Sequence, residues 1–133
     1  LTHLSAEGLP VLVSTPYMDE ASRCDRVALM QDGALLAVDA PNSLREGYEW
    51  PLLSVKAEDR YSVLKVLRDF KHARSAFPFG AELHYADSRA DAPPPVVADE
   101  VRSFLRERGI ERAEVHPIGA GIEDVFMDLG SAA

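Results

Sequence analysis

Leu52-Leu53-Ser54-Val55-Lys56, followed by Asp59-Arg60-Tyr61-Ser62-Val63-Leu64-Lys65-Val66-Leu67-Arg68-Asp69-Phe70, is the stretch that decides the fold. In its first part Leu53 and Val55 alternate with Ser54 and Lys56, the period of a half-buried strand. In its second part Val63, Leu64, Val66, Leu67 and Phe70 recur at helical spacing, with Arg60, Lys65, Arg68 and Asp69 outside the stripe. A strand and one amphipathic helix cannot close a core, so the residues that follow must bring further apolar faces.

They bring four more elements. A strand ends at Phe77-Pro78-Phe79, where a proline suits a strand end or an edge. After a turn at Gly80-Ala81, another strand sets Leu83 and Tyr85 on one face and Glu82 and His84 on the other. Asp87 to Pro95 is polar and proline-rich and is expected to be a solvated loop. A second amphipathic helix carries Val97, Val101, Phe104 and Leu105 and stops at Gly109. Arg112 to Ile118 then reads as a strand, Ala113 and Val115 inward, Glu114 and His116 outward. Strand, helix, strand, strand, helix, strand is the order of an α+β, ferredoxin-like βαββαβ domain, its helices covering a face of a four-stranded sheet. Gly121 to Leu129 follows as a short closing helix, with Ile122, Val125, Phe126 and Leu129 as its docking face.

Toward the N-terminus the texture changes at Tyr48 to Pro51, which divides the chain into 1–50 and 51–133. Leu1 to Gly8 reads as the last turns of a helix, with Gly8 as its left-handed stop. Val11-Leu12-Val13 has the continuous apolar pattern of a strand buried on both faces in a parallel sheet, yet no neighbouring strand for it is evident. Asp19 and Glu20 open a short helix over Met18 to Arg23, where carboxylates suit the positive end of the helix dipole; adjacent on a helix, they diverge too far to work as a catalytic pair. Val27 to Met30 and Ala34 to Val38 flank Gln31-Asp32-Gly33, a hairpin signal. Pro41 to Arg45 is a proline-started helical turn ending near Gly47.

The chain has 133 residues, a net charge of −8, 47% hydrophobic and 27% charged residues, which is globular composition. Acids and bases are interleaved and no basic stripe exists to hold a phosphate backbone, which argues against nucleic-acid partners. The same acidity disfavours direct docking on anionic lipid. No apolar run approaches the roughly 20 residues of a membrane-spanning helix. A single cysteine, Cys24, excludes an internal disulfide and a multi-cysteine zinc site, fits a reducing compartment, and is expected to be a small packing residue. His84 and His116, both on outward strand faces without carboxylate or Cys at ligand spacing, are expected on solvated surface, and no metal site is assigned.

Ser14-Thr15-Pro16-Tyr17-Met18-Asp19-Glu20-Ala21, with Cys24-Asp25-Arg26-Val27 after it, resembles the switch-loop region of the nucleotide-binding subunits of ABC transporters, which typically read Ser-Thr-His-Tyr/Asp-Met-Asp-Glu-Ala and then Cys-Asp-Arg-Val. The hairpin and the proline turn follow in the family's order, so this resemblance covers Gly8 to about Arg45. Ile122-Glu123-Asp124-Val125-Phe126-Met127-Asp128-Leu129 resembles the Leu-Glu-Asp-Val-Phe-Leu-x-Leu ending of many exporter ATPases that carry an accessory C-terminal domain. The resemblance implies the truncated end of a P-loop ATPase domain over 1–50 and an accessory domain over 51–133. It implies a parent that binds ATP and Mg, pairs with a permease subunit and a second nucleotide-binding domain, and sits in the cytoplasm on the inner face of the membrane. The start at Leu1, without an initiator Met, fits a fragment or a trimmed product.

The phosphate loop, the signature sequence and the strand ending in Asp-Glu do not occur in these residues; in the family they lie upstream of the position of Leu1. No catalytic or cofactor-binding residue is therefore assigned, and these residues alone are not expected to be an ATPase. Pro16 occupies the switch-histidine position and has no nitrogen donor for the γ-phosphate or attacking water. Two readings follow: a degenerate site in an asymmetric pair, or slow hydrolysis with another group in that role. Glu123 and Asp124 are expected to favour the start of the closing helix. The rival reading is a stand-alone ferredoxin-like ligand-binding or acylphosphatase-type domain. It would want an Arg-bearing phosphate cradle after the first strand, where Val55-Lys56-Ala57-Glu58-Asp59 offers acids. An interaction module dimerising through sheet edges is compatible with either.

Overall fold

The structure, a computed structural model, describes residues 8–132; of the helix expected at the start of the chain only Gly8 falls among them, with the left-handed φ of 85° expected of a stop. The fold is mixed α+β with two antiparallel sheets.

The smaller sheet is the hairpin of β1 (Val27–Gln31) and β2 (Ala34–Asp39). Asp32 and Gly33 both have positive φ, 52° and 79°, as a two-residue hairpin turn matched to strand twist requires. Before it stands the short helix α1 (Met18–Ala21), and after it α2 (Pro41–Glu46), which starts on Pro41, where a missing N–H costs nothing. The helix expected as far as Arg23 ends sooner; the Ser22 hydroxyl donates back to the Met18 carbonyl, an alternative to continuing the helix.

The strand expected at Val11–Val13 is absent. Residues 9–15 have no regular structure, and Leu12 is fully exposed at 100%, with Val11 and Val13 at 42% and 39%. A strand needs hydrogen-bonded neighbours, and β1 and β2 pair only with each other among the described residues.

The larger sheet comes from β3 (Leu52–Lys56), β4 (Ala73–Phe79), β5 (Glu82–Asp87) and β6 (Glu114–Pro117), with α3 (Arg60–Asp69) after β3 and α4 (Pro94–Glu107) after β5. Its spatial order is β4-β5-β3-β6 and every neighbouring pair is antiparallel. The first strand in sequence is therefore internal, paired with β5 on one side and β6 on the other. Val63, Leu64 and Leu67 of α3 and Val97, Ala98, Val101 and Leu105 of α4 bury against Leu53, Val55, Leu83, Tyr85 and Val115, with Phe70 and Phe104 in ring contact at 4.9 Å. Asp59 caps α3, accepting from the Ser62 N–H at 3.3 Å and hydroxyl at 2.6 Å.

Two expectations fail in this sheet. β3 is buried on both faces, Leu52 and Ser54 at 4% exposure each, because the face turned away from α3 and α4 is not open to solvent. The closing helix α5 (Ile122–Ala132) lies across it, and Leu52 lines a narrow cleft with Asp124, Met127 and Asp128. Asp87 does not belong to a solvated loop: it ends β5, fully buried, and Pro94 and Pro95 form the first turn of α4.

The other side of α5 faces the hairpin. Ile122 and Val125 form a second cluster with Val27, Leu29 and Leu44, flanked by Met18, Ala21, Phe126 and Leu129. The helix runs so close to the hairpin that a Cβ added at Gly130 would lie 2.6 Å from Gln31 Oε1. Residues before and after Pro51 thus meet on one helix.

Candidate functional site

The loop around Pro16 is held by short-range bonds. The Thr15 hydroxyl donates to Glu20 Oε2 at 2.7 Å and accepts from the Tyr17 N–H at 3.0 Å, pinning the bend to the start of α1. Pro16 and Tyr17 are exposed, Tyr17 at 64%. Glu20 is engaged by Thr15, and Asp19 is exposed. Cys24, half-buried beside the hairpin cluster, donates its thiol to the Glu20 carbonyl at 3.7 Å, which accords with a packing role.

A second group of polar side chains lies where α5 crosses the larger sheet. Glu82 and His84 point away from the core, as their alternation with Leu83 and Tyr85 requires, but His84 does not reach solvated surface. Its side chain is 15% exposed, its Nδ1 lies 2.7 Å from Asp124 Oδ1 and its Nε2 3.6 Å from Glu82 Oε1. The Phe79 ring lies 4.3 Å from the imidazole, centroid to centroid. Asp124 accepts from the Gly121 N–H at 2.9 Å through its other oxygen, so one carboxylate caps the start of α5 and binds β5. The Ser54 hydroxyl donates to Glu82, and this bond is the main reason the Glu82 carboxyl lies below the ordinary range. For His84, burial disfavours the charged ring, but the Asp124 bond and charge, joined by Glu82, outweigh it and raise the pKa above 6.5.

Beside this group the single Trp50 carries the Arg74 guanidinium 3.9 Å above its ring, and Arg74 Nε donates to Asp128 Oδ1 of α5 at 2.8 Å. Tyr48 faces the same carboxylates; burial, then Asp124 and Asp128, raises its pKa, while Arg74 opposes. Tyr48, His84, Asp124 and Asp128 line one cleft, about 210 Å³ including its open rim. No group of three or more His, Cys, Asp or Glu suited to a metal occurs among the described residues. The Ser54 hydroxyl is turned to Glu82 rather than to His84. The arrangement holds a helix in place. His116 is exposed on β6, as its position on the strand implied.

The third constellation was not visible in sequence. Asp87, 0% exposed, accepts from the Tyr85 hydroxyl at 2.9 Å, the Arg89 N–H at 3.0 Å and Arg89 Nε at 2.8 Å, and Arg89 reaches Glu100 of α4 at 2.8 Å. Burial alone would raise the Asp87 pKa, yet the Arg89 bonds and the Tyr85 hydroxyl bring it below the usual 3.8. The alternation Tyr85-x-Asp87-x-Arg89 is the only sequence trace of it.

No protein-family model matches the chain. Over 49 residues, 37% of the chain, it is 41% identical to ABC transporter G family member 20 of Dictyostelium discoideum. The chain is loosely related to an ABC transporter there. The matched stretch spans 7% of that protein's length. No helix among the described residues is long and apolar enough to cross a membrane.

Proposed function

We propose that this chain is the C-terminal part of an ABC transporter ATP-binding protein: the end of the nucleotide-binding domain over 1–50, then a ferredoxin-like accessory domain over 51–133 that serves as a regulatory or interaction module. The observation that carries the reading is the switch-loop run from Ser14 to Val27, leading into a hairpin whose buried side is sealed by the exporter-like tail at Ile122 and Val125. The partial identity to an ABC transporter supports it. The ferredoxin-like assignment is supported by strand, helix, strand, strand, helix, strand in sequence and β4-β5-β3-β6 in space. An acylphosphatase-type site is disfavoured, because Asp59 after β3 caps α3 where that chemistry wants donors toward a phosphate.

On this reading ATP and Mg bind residues outside this chain. The parent works at the inner face of the membrane through a permease subunit, pairs with a second nucleotide-binding domain, and exports its substrate. The coding sequence ahead of Leu1 should then encode a Gly-Lys-Ser/Thr phosphate loop and a strand ending in Asp-Glu; an upstream sequence without them would refute the reading. Pro16, in the switch-histidine position, leaves its composite site binding nucleotide but turning it over slowly. Pro16→His in the assembled full-length protein should raise phosphate release by roughly a hundredfold, the scale of one placed general acid or base. Release equal to that of Pro16→Ala would show that the position is not a vacated catalytic one.

A further inference from the structure

We propose that His84 and Asp124 form a proton-operated latch that clamps α5 across the four-stranded sheet and thereby also sets how firmly the same helix seals the hairpin cluster. The proposal does not depend on the transporter reading; it rests on where α5 lies. The helix has an apolar contact with the hairpin through Ile122 and Val125 and a polar contact with the sheet through Asp124 and Asp128. Of those two polar contacts, one is made by a guanidinium and the other by an imidazole, the side chain whose ordinary charge change lies nearest neutral pH.

The groups that face the imidazole come from every element around it. Asp124 and Asp128 belong to α5, Glu82 to β5 itself, and Arg74 to β4, held by Asp128. Lys56 on β3 lies 3.9 Å from Glu82, and Tyr48 precedes the sheet, lining the same cleft. Carboxylates outnumber cations here, and His84 is the one member positioned between two of them. A protonated ring donates to Asp124 as an ion pair and balances Glu82; a neutral ring keeps at most a bond from an uncharged N–H to the Asp124 carboxylate. The raised pKa agrees in direction: the extra hold is fully present below the ordinary histidine value of 6.5 and is lost as pH rises through the higher folded value. The single Trp50 under Arg74 gives a reporter one side chain away from Asp128.

The test is amide exchange of the whole chain, read by NMR and corrected for the intrinsic pH dependence of exchange, alongside the titration of the His84 ring. Protection of residues 125–129 should fall about fivefold as His84 deprotonates, the scale expected when the bond to the Asp124 carboxylate loses the charge on its donor. The amides of Leu53 and Leu83 should stay unchanged over the same range. His84→Gln should abolish the pH dependence, and Asp124→Asn should return the His84 titration toward 6.5. If either variant fails to fold, the wild-type titration decides alone. A His84 ring titrating below 6.5, or protection of 125–129 that ignores its protonation, overturns the latch, and so does a His84→Gln protein that keeps the wild-type pH dependence.

Discussion

The four-stranded sheet and the hairpin are built from similar apolar strands but end in opposite states. In the sheet two helices return from the same stretch of chain to cover one face, and Leu53, Val55, Leu83 and Tyr85 are all at 0% exposure. The hairpin buries Val27 and Leu29 against Leu44 and a helix from the far end of the chain, while its outer face keeps Met30 at 56%, Leu35 at 59% and Val38 at 42%. Apolar residues create a demand for burial; only topology meets it. Where helices follow the strands directly, the core closes locally. Where cover must come from some ninety-five residues away in sequence, half a core forms and the rest stays at the surface.

The strongest way to sharpen this comparison is to remove matched volume from each core. Leu67→Ala, at 1% exposure, should cost about 2–5 kcal/mol and lower the cooperative melt of the sheet, read by urea denaturation. Ile122→Ala should act locally, releasing the amides of β1 and β2 to exchange while those of β3 and β5 stay protected, since its neighbours are Val27, Leu29 and Leu44. Equal loss in both sheets would break the distinction and make the chain one cooperative unit.

A smaller effect should come from Asp87. Asp87→Asn leaves the Arg89 guanidinium with Glu100 as its remaining charge partner and should cost about 1–3 kcal/mol at neutral pH. Because the folded pKa of Asp87 lies below 3.8, its contribution is present above that value and is lost as pH falls through the folded one. The variant should therefore approach wild-type stability in acid, which urea midpoints measured down the pH scale would check. The smallest effect belongs to the uncovered segment: Leu12→Ser, at a residue 100% exposed, should stay within about 0.5 kcal/mol of wild type in the same denaturation.

Much of the fold could be read from sequence because its signals are local. Asp32-Gly33 marks its own turn, Gly109 its own helix stop, and the stripes on α3 and α4 mark their own buried faces. What could not be read depends on contacts distant along the chain. His84 and Asp124 are 40 residues apart; alternation correctly turned His84 away from one core, and nothing nearby announced that α5 would cover the opposite face. Asp87 looked like the start of a polar loop because its partners Tyr85 and Arg89 flank it only at alternate positions and Glu100 lies on another element. Val11-Leu12-Val13 carries a strand's composition, and composition does not supply the neighbouring strands. The partial likeness to an ABC transporter agrees with the motif reading at the level of the family relation, while Pro16 rests on motif alignment alone.

The claim that the two regions differ in closure is tested most directly by residue-resolved amide exchange on the unmodified chain. Leu53, Val55, Leu83 and Tyr85 should exchange only through global unfolding, β1 and β2 through a cheaper local opening, and Val11 to Val13 at close to the free-peptide rate. Protection at Val11 to Val13 approaching that of Leu53 would contradict the account, because that segment would then have a strand partner that this fold does not give it.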